Sequence, residues 1–207
     1  MKDKHLPNRI RVLIPSQMKG VCCNTIGKLP LQHPDQAKVK FEQLKNKLLS
    51  INIWNDYTDQ TKANFKLYDF KGIPVSRFPV KGDLIKIKLS SYLSMLQRTD
   101  DWVEVLDVNQ IIEEDYSCVL LKLRPCSCPE RQRPNTDHFF DCMATNTLIL
   151  YVNSKMAYLS VHGRNEMPNL NPSNKLKILR NIVLANMGFI GFSKMQWQSL
   201  IDGLLSE

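Results

Sequence analysis

The segment TNTLILYVNSKMAYLSVH, residues 145–162, decides how this chain folds. Two apolar runs, 145–152 and 156–162, are separated only by Asn153, Ser154 and Lys155. So short a connection cannot hold a crossover, and it predicts an antiparallel hairpin. Moving towards the N-terminus, YSCVLLKLR (116–124) and DWVEVLDV (101–108) read as two more strands. Before them, VKGDLIKIKL sets Ile85, Ile87 and Leu89 on one face and Lys86 and Lys88 on the other, after a turn at Gly82-Asp83. ANFKLYD alternates Ala63, Phe65 and Leu67 against Asn64, Lys66 and Tyr68. Short links throughout predict an antiparallel meander rather than βαβ units.

The flanks read differently. RIRVLI, residues 9–14, suggests a short strand, and 15–34, rich in Pro, Gly and Lys, a loop. Pro34-Asp35 opens a helix over 35–52, with Phe41, Leu44, Leu48 and Ile51 on one stripe and lysines mostly off it. At the other end, Ser173 can cap a helix carrying Leu176, Leu179, Ile182 and Val183 that ends near Gly188. A second start is marked by Ser193 with Gln196, a capping box, and by Phe192 with Trp197, at staple spacing. Leu200, Ile201 and Leu204 continue that helix. The expected class is α+β: a strongly curved antiparallel sheet packed on an N-terminal helix and C-terminal helices, in a single domain over 1–207. A small β-barrel with added helices satisfies the same pattern.

This order of elements resembles the START-like helix-grip fold, also called the polyketide cyclase or SRPBCC fold. The resemblance implies a curved sheet wrapped round a long C-terminal helix, with a hydrophobic cavity between them.

With 207 residues and 43% hydrophobic content the chain can bury a sizeable core. Its net charge of +8 favours polyanions non-specifically without making nucleic acid the ligand. The first twenty residues lack the apolar run of a secretory signal, because VLI is cut short by Pro15. No stretch approaches the roughly 18 apolar residues of a membrane span. A cytoplasmic protein is expected, with Cys22, Cys23, Cys118, Cys126, Cys128 and Cys142 as free thiols.

The densest polar stretch, VHGRNEMPNL (161–170), ends the hairpin. Arg164 offers bidentate recognition of a carboxylate or phosphate, and His162 a donor that titrates near neutrality. Asn165 and Glu166 complete the cluster. Antiparallel pairing places the start of the strand at 145 at the same edge of the sheet as the end at 162. Asp137 and His138, just upstream in PNTDHFFDC, can therefore approach His162 and Arg164. The same string also suits a hydrogen-bonded corner that only satisfies loop backbone.

Three functions follow. The first is binding of a small apolar or amphipathic anionic ligand between sheet and helix, its head held by His162, Arg164, Asn165, Glu166, Asp137 and His138. The second is an enzyme of unassigned reaction with a His/Asp/Glu/Arg site at the 137–166 hairpin end. The third is a basic module for nucleic acid or protein, using Arg124, Arg131 and Arg133 near Phe139 and Phe140. Cys126-x-Cys128, His138 and Cys142 have ligand types that suit zinc, but the spacing departs from the common C-x2-C knuckle, and no metal is assigned. No cofactor is implied: the dinucleotide, P-loop, hydrolase-elbow and HExxH motifs are absent. Self-association is left open.

Overall fold

The computed structural model describes residues 5–58, 63–89, 100–130, 140–169 and 189–206. Its centre is a seven-stranded antiparallel sheet in the order β1-β7-β6-β5-β4-β3-β2. The strands are β1 (Val21–Pro30), β2 (Ala63–Tyr68), β3 (Leu84–Leu89), β4 (Asp101–Ile112), β5 (Tyr116–Pro125), β6 (Thr145–Asn153) and β7 (Met156–Glu166). From β2 to β7 each strand pairs with the next in sequence, as the short links predict. β1 and β2 occupy opposite edges, so the sheet stays open and the closed-barrel alternative is excluded.

The deciding hairpin forms with Thr147 opposite His162, Leu148 opposite Val161 and Val152 opposite Ala157. Asn153 Oδ1 locks the turn by accepting hydrogen bonds from the Lys155 and Met156 N–H groups, both 2.9 Å. Alternation then gives the sheet two faces. The inner face carries Val119, Leu121, Leu148, Leu150, Leu159 and Val161. It packs against α2 (Ala37–Leu49) and the C-terminal α4 (Phe189–Leu205). The predicted stripe holds: Phe41, Leu44, Leu48 and Ile51 are all buried. On the outer face Cys118, Leu120, Ile149 and Tyr151 pack under Leu6 and Ile10.

Two N-terminal expectations are corrected. Residues 9–14 form no strand; α1 (Asn8–Arg11) is a short helix lying over the outer face. The reason is visible in the spacing: Leu6, Ile10, Leu13 and Ile14 recur at helical intervals, while Val12, which a strand would align with Ile10, is 77% exposed. Part of the expected loop is β1, an edge strand antiparallel to β7. Its composition, with Gly27 and a terminal Pro30, is weak for a strand, and pairing with β7 overrides it. Gly27 is needed there: a β-carbon would lie 2.4 Å from Ile201 Cγ2 and 2.6 Å from Leu205 Cδ1 of α4.

At the C-terminus Ser193 does not start a helix, since α4 runs from Phe189 and contains it. Gly191 and Ser193 each cost a helix interior only about 1 kcal/mol or less, too little to end it. The expected helix from Ser173 lies outside the described residues.

The β2 edge is protected by the 50–57 segment, which contains α3 (Trp54–Tyr57). Asn52 Oδ1 accepts from the Leu67 N–H and Asn55 Oδ1 from the Phe65 N–H, both 2.8 Å. These bonds occupy donors that an open edge would offer to another chain.

Candidate functional site

The site candidates lie at the end of β7, between β6 and β1. His162, Arg164, Asn165 and Glu166 are all buried. Asp137 and His138 lie outside the described residues. The chain after them resumes beside the strand end: Phe140 bridges to Pro168, and the Asp141 N–H donates to the Met167 carbonyl at 3.0 Å.

The four side chains do not share one face. His162 and Arg164 project from the outer face, with Ser160 and Asn24. His162 Nε2 lies 3.0 Å from Ser160 Oγ. Arg164 Nη1 donates to Asn24 Oδ1 at 2.6 Å and to the Gly163 carbonyl at 2.7 Å. Thr147 sits across from His162 and is fully buried.

Asn165 breaks the alternation. Its φ is 54°, a left-handed conformation that Asn tolerates better than most residues. Its side chain ties down the segment before β1. Asn165 Oδ1 accepts from the Met18 N–H (2.7 Å) and the Lys19 N–H (3.2 Å), and Nδ2 donates to the Ser16 carbonyl (3.2 Å). Its own N–H donates to Gln17 Oε1 at 3.0 Å. Asn165 is thus the corner lock that one sequence reading describes. Asn165→Ala is expected to cost about 2–3 kcal/mol, because it removes part-buried hydrogen bonds to the Ser16, Met18 and Lys19 backbone and puts Ala at a positive φ. Asn165→Gly should recover only the dihedral part. Urea unfolding of the two variants checks this ordering, and equal stabilities would refute it.

Beyond Asn165 the chain turns Glu166 to the inner face. Its carboxyl folds over Gly163: a β-carbon there would lie 2.2 Å from Glu166 Oε1 and 3.3 Å from Asn146 Oδ1. Gly163 is therefore the residue that makes room for the acid. Asn146 stands opposite Gly163 on β6, and Cys23 opposite it on β1. One row further along the sheet are Leu148, Val161 and Thr25. Glu166 is 3% exposed, and neither of its carboxyl oxygens has a hydrogen-bond partner among the described residues. The same is true of Asn146 Oδ1 and Thr25 Oγ1. Burial pushes the Glu166 pKa up to about 7, while Arg164, acting from the other face, pulls it down by less.

The polar density of 161–170 signals this cluster in the sequence. Thr25 and Asn146 carry no such signal, because only strand register sets them on the same face as the acid. No group of three or more His, Cys, Asp or Glu side chains positioned for a metal occurs among the described residues. Of the residues whose types suit zinc, His138 lies outside those residues, and Cys142 is an exposed free thiol. Of the basic loop, Arg131, Arg133 and Phe139 lie outside the described residues, while Arg124 pairs with Glu104 at 2.8 Å and Phe140 is buried. Among the described residues no helix is long and apolar enough to cross a membrane.

No family model matches the sequence, and no curated protein does. Among solved structures, a hypothetical protein of Helicobacter pylori is similar over 88% of this chain and 85% of its own, at 7% identity and a TM-score of 0.45. Major latex-like protein 151 of Panax ginseng is similar over 83% of this chain and 97% of its own, at 11% identity and a TM-score of 0.33. Ara h 8.0201 is similar over 90% of this chain and 100% of its own, at 8% identity and a TM-score of 0.35. These are distant likenesses in the course of the chain.

Proposed function

We propose that the protein binds a small apolar or amphipathic molecule between the inner face of the sheet and α4, with the polar end of that molecule at the end of β7. One observation carries this reading. On a face built mainly from apolar side chains, Glu166, Asn146 and Thr25 hold buried oxygen atoms with no partner among the described residues. Native proteins seldom leave such groups unmet, and a ligand's polar group would meet them. The sequence expectation of an anionic head held by Arg164 and His162 belongs to a different place, since both side chains lie on the outer face and Arg164 is bonded to Asn24.

The test compares the native mass of freshly purified protein with its denatured mass, followed by thermal shifts with amphiphiles. An organic adduct lost on denaturation, or a shift with an amphiphile, is the expected result. A native mass equal to the bare chain or a multiple of it, together with no shift from any amphiphile, would overturn the reading.

A further inference from the structure

The cluster on the inner face has an unusual balance of donors and acceptors. Glu166 Oε1, Glu166 Oε2 and Asn146 Oδ1 all accept, and none has a donor among the described residues. Two of them crowd the same point above Gly163. An acid meets this environment at a cost, because burial removes water from the charged form without supplying N–H groups in exchange. Arg164 does not repair the balance: it sits across the sheet with its guanidinium given to Asn24 and the Gly163 carbonyl. A side chain added at Gly163 would fill the space, yet glycine stands there and the space is kept for the carboxyl.

Thr25 Oγ1, one row away, brings a single O–H to three acceptors, so what the cluster lacks is a compact group with several donors and a positive charge. A primary ammonium supplies three N–H donors and no acceptor, and so matches three acceptor atoms. A carboxylate or phosphate head would add acceptors to acceptors and like charge to like. A hydroxyl would supply one donor only.

The geometry points to a binding site for the primary ammonium of an amphipathic amine, held by Glu166 and Asn146 on the inner face. This inference rests on the proposed ligand-binding function and adds the chemistry of the head group. Binding replaces water-poor isolation of the carboxyl with a charge-assisted pair, the stronger kind of hydrogen bond. Arg164 and His162, on the other face, do not touch this head.

Decylamine, decanol and decanoate, matched in chain length and kept below micelle formation, are titrated calorimetrically into the full chain at pH 8. Decylamine is expected to bind at least about tenfold more tightly than decanoate, with decanol between them. In Glu166→Gln, which keeps the shape of the side chain, that preference should collapse to within about twofold while decanol affinity is kept. Equal or tighter binding of decanoate by the unaltered protein overturns the ammonium site while the ligand-binding function stands. A preference for decylamine that survives Glu166→Gln does the same. If none of the three binds, the ligand-binding function falls and the ammonium site with it. The comparison within the unaltered protein decides the matter even should the variant misfold.

Discussion

Glu166→Gln is expected to gain on the unaltered protein by about 2–4 kcal/mol as pH rises from about 4.5 to 8. The reason is linkage. Folding raises the Glu166 pKa from 4.5 to about 7, chiefly by burial. Below about pH 4.5 the carboxyl is protonated in both the folded and the unfolded chain, and its ionisation costs the fold nothing. Between 4.5 and 7 the unfolded chain gives up this proton more readily than the folded one, so stability drains away as pH rises. Above about 7 the carboxylate is ionised in both states and the full cost is present. The glutamine cannot ionise and is spared this loss. Chemical denaturation of both proteins at pH 4.5, 6 and 8 measures the gap. Parallel stability curves across that range would mean that Glu166 is ionised normally and is not isolated from water in solution.

The second large effect belongs to Gly203. Its β-carbon, were there one, would lie 1.7 Å from the Tyr57 carbonyl oxygen and 2.7 Å from its carbon. Both are backbone atoms at the end of α3, so no rotamer change relieves the clash. Gly203→Ala must push α4 away from α3, and α4 supplies Leu200, Ile201 and Leu204 to the main core. Overpacking of this kind usually costs 1–3 kcal/mol, and contact with rigid backbone places this site at about 3 kcal/mol or more. Thermal unfolding of Gly203→Ala checks it, with Lys38→Ala as a control at an exposed position of α2. A melting point within a degree or two of the unaltered protein would show that α4 does not seat against Tyr57.

Much of the fold was legible because alternation and short links constrain a meander strongly. Thr145 to Val152 and Met156 to His162 can pair in few ways, and the register found keeps Leu148, Leu150, Leu159 and Val161 on one side. β1 was not legible. Its residues were shaped by proximity to α4, which demands Gly27, and by β7, which supplies the pairing. Neither partner is local in sequence. α1 was legible in principle through Leu6, Ile10, Leu13 and Ile14, but a six-residue window admits both periods.

The candidate site was half legible. Polar density led to His162, Arg164, Asn165 and Glu166, and all four are buried at the predicted strand end. Their division between two faces was not readable, because it depends on one backbone angle. Asn146 and Thr25 were missed because the strand sequences do not say which face each takes, and register with β7 alone sets both on the inner face.

That angle has a wider effect. In an unbroken strand, Arg164 and Glu166 would point the same way and neutralise each other, as i and i+2 neighbours do. The left-handed turn at Asn165 separates them, with the base on one side of a sheet one residue thick and the acid on the other. A pair that ordinary strand geometry would have spent on itself is split: the base is bonded to Asn24 on the outer face, and the acid is buried on the inner one. The sheet is polarised across its thickness at this one point, and a single dihedral maintains that polarity.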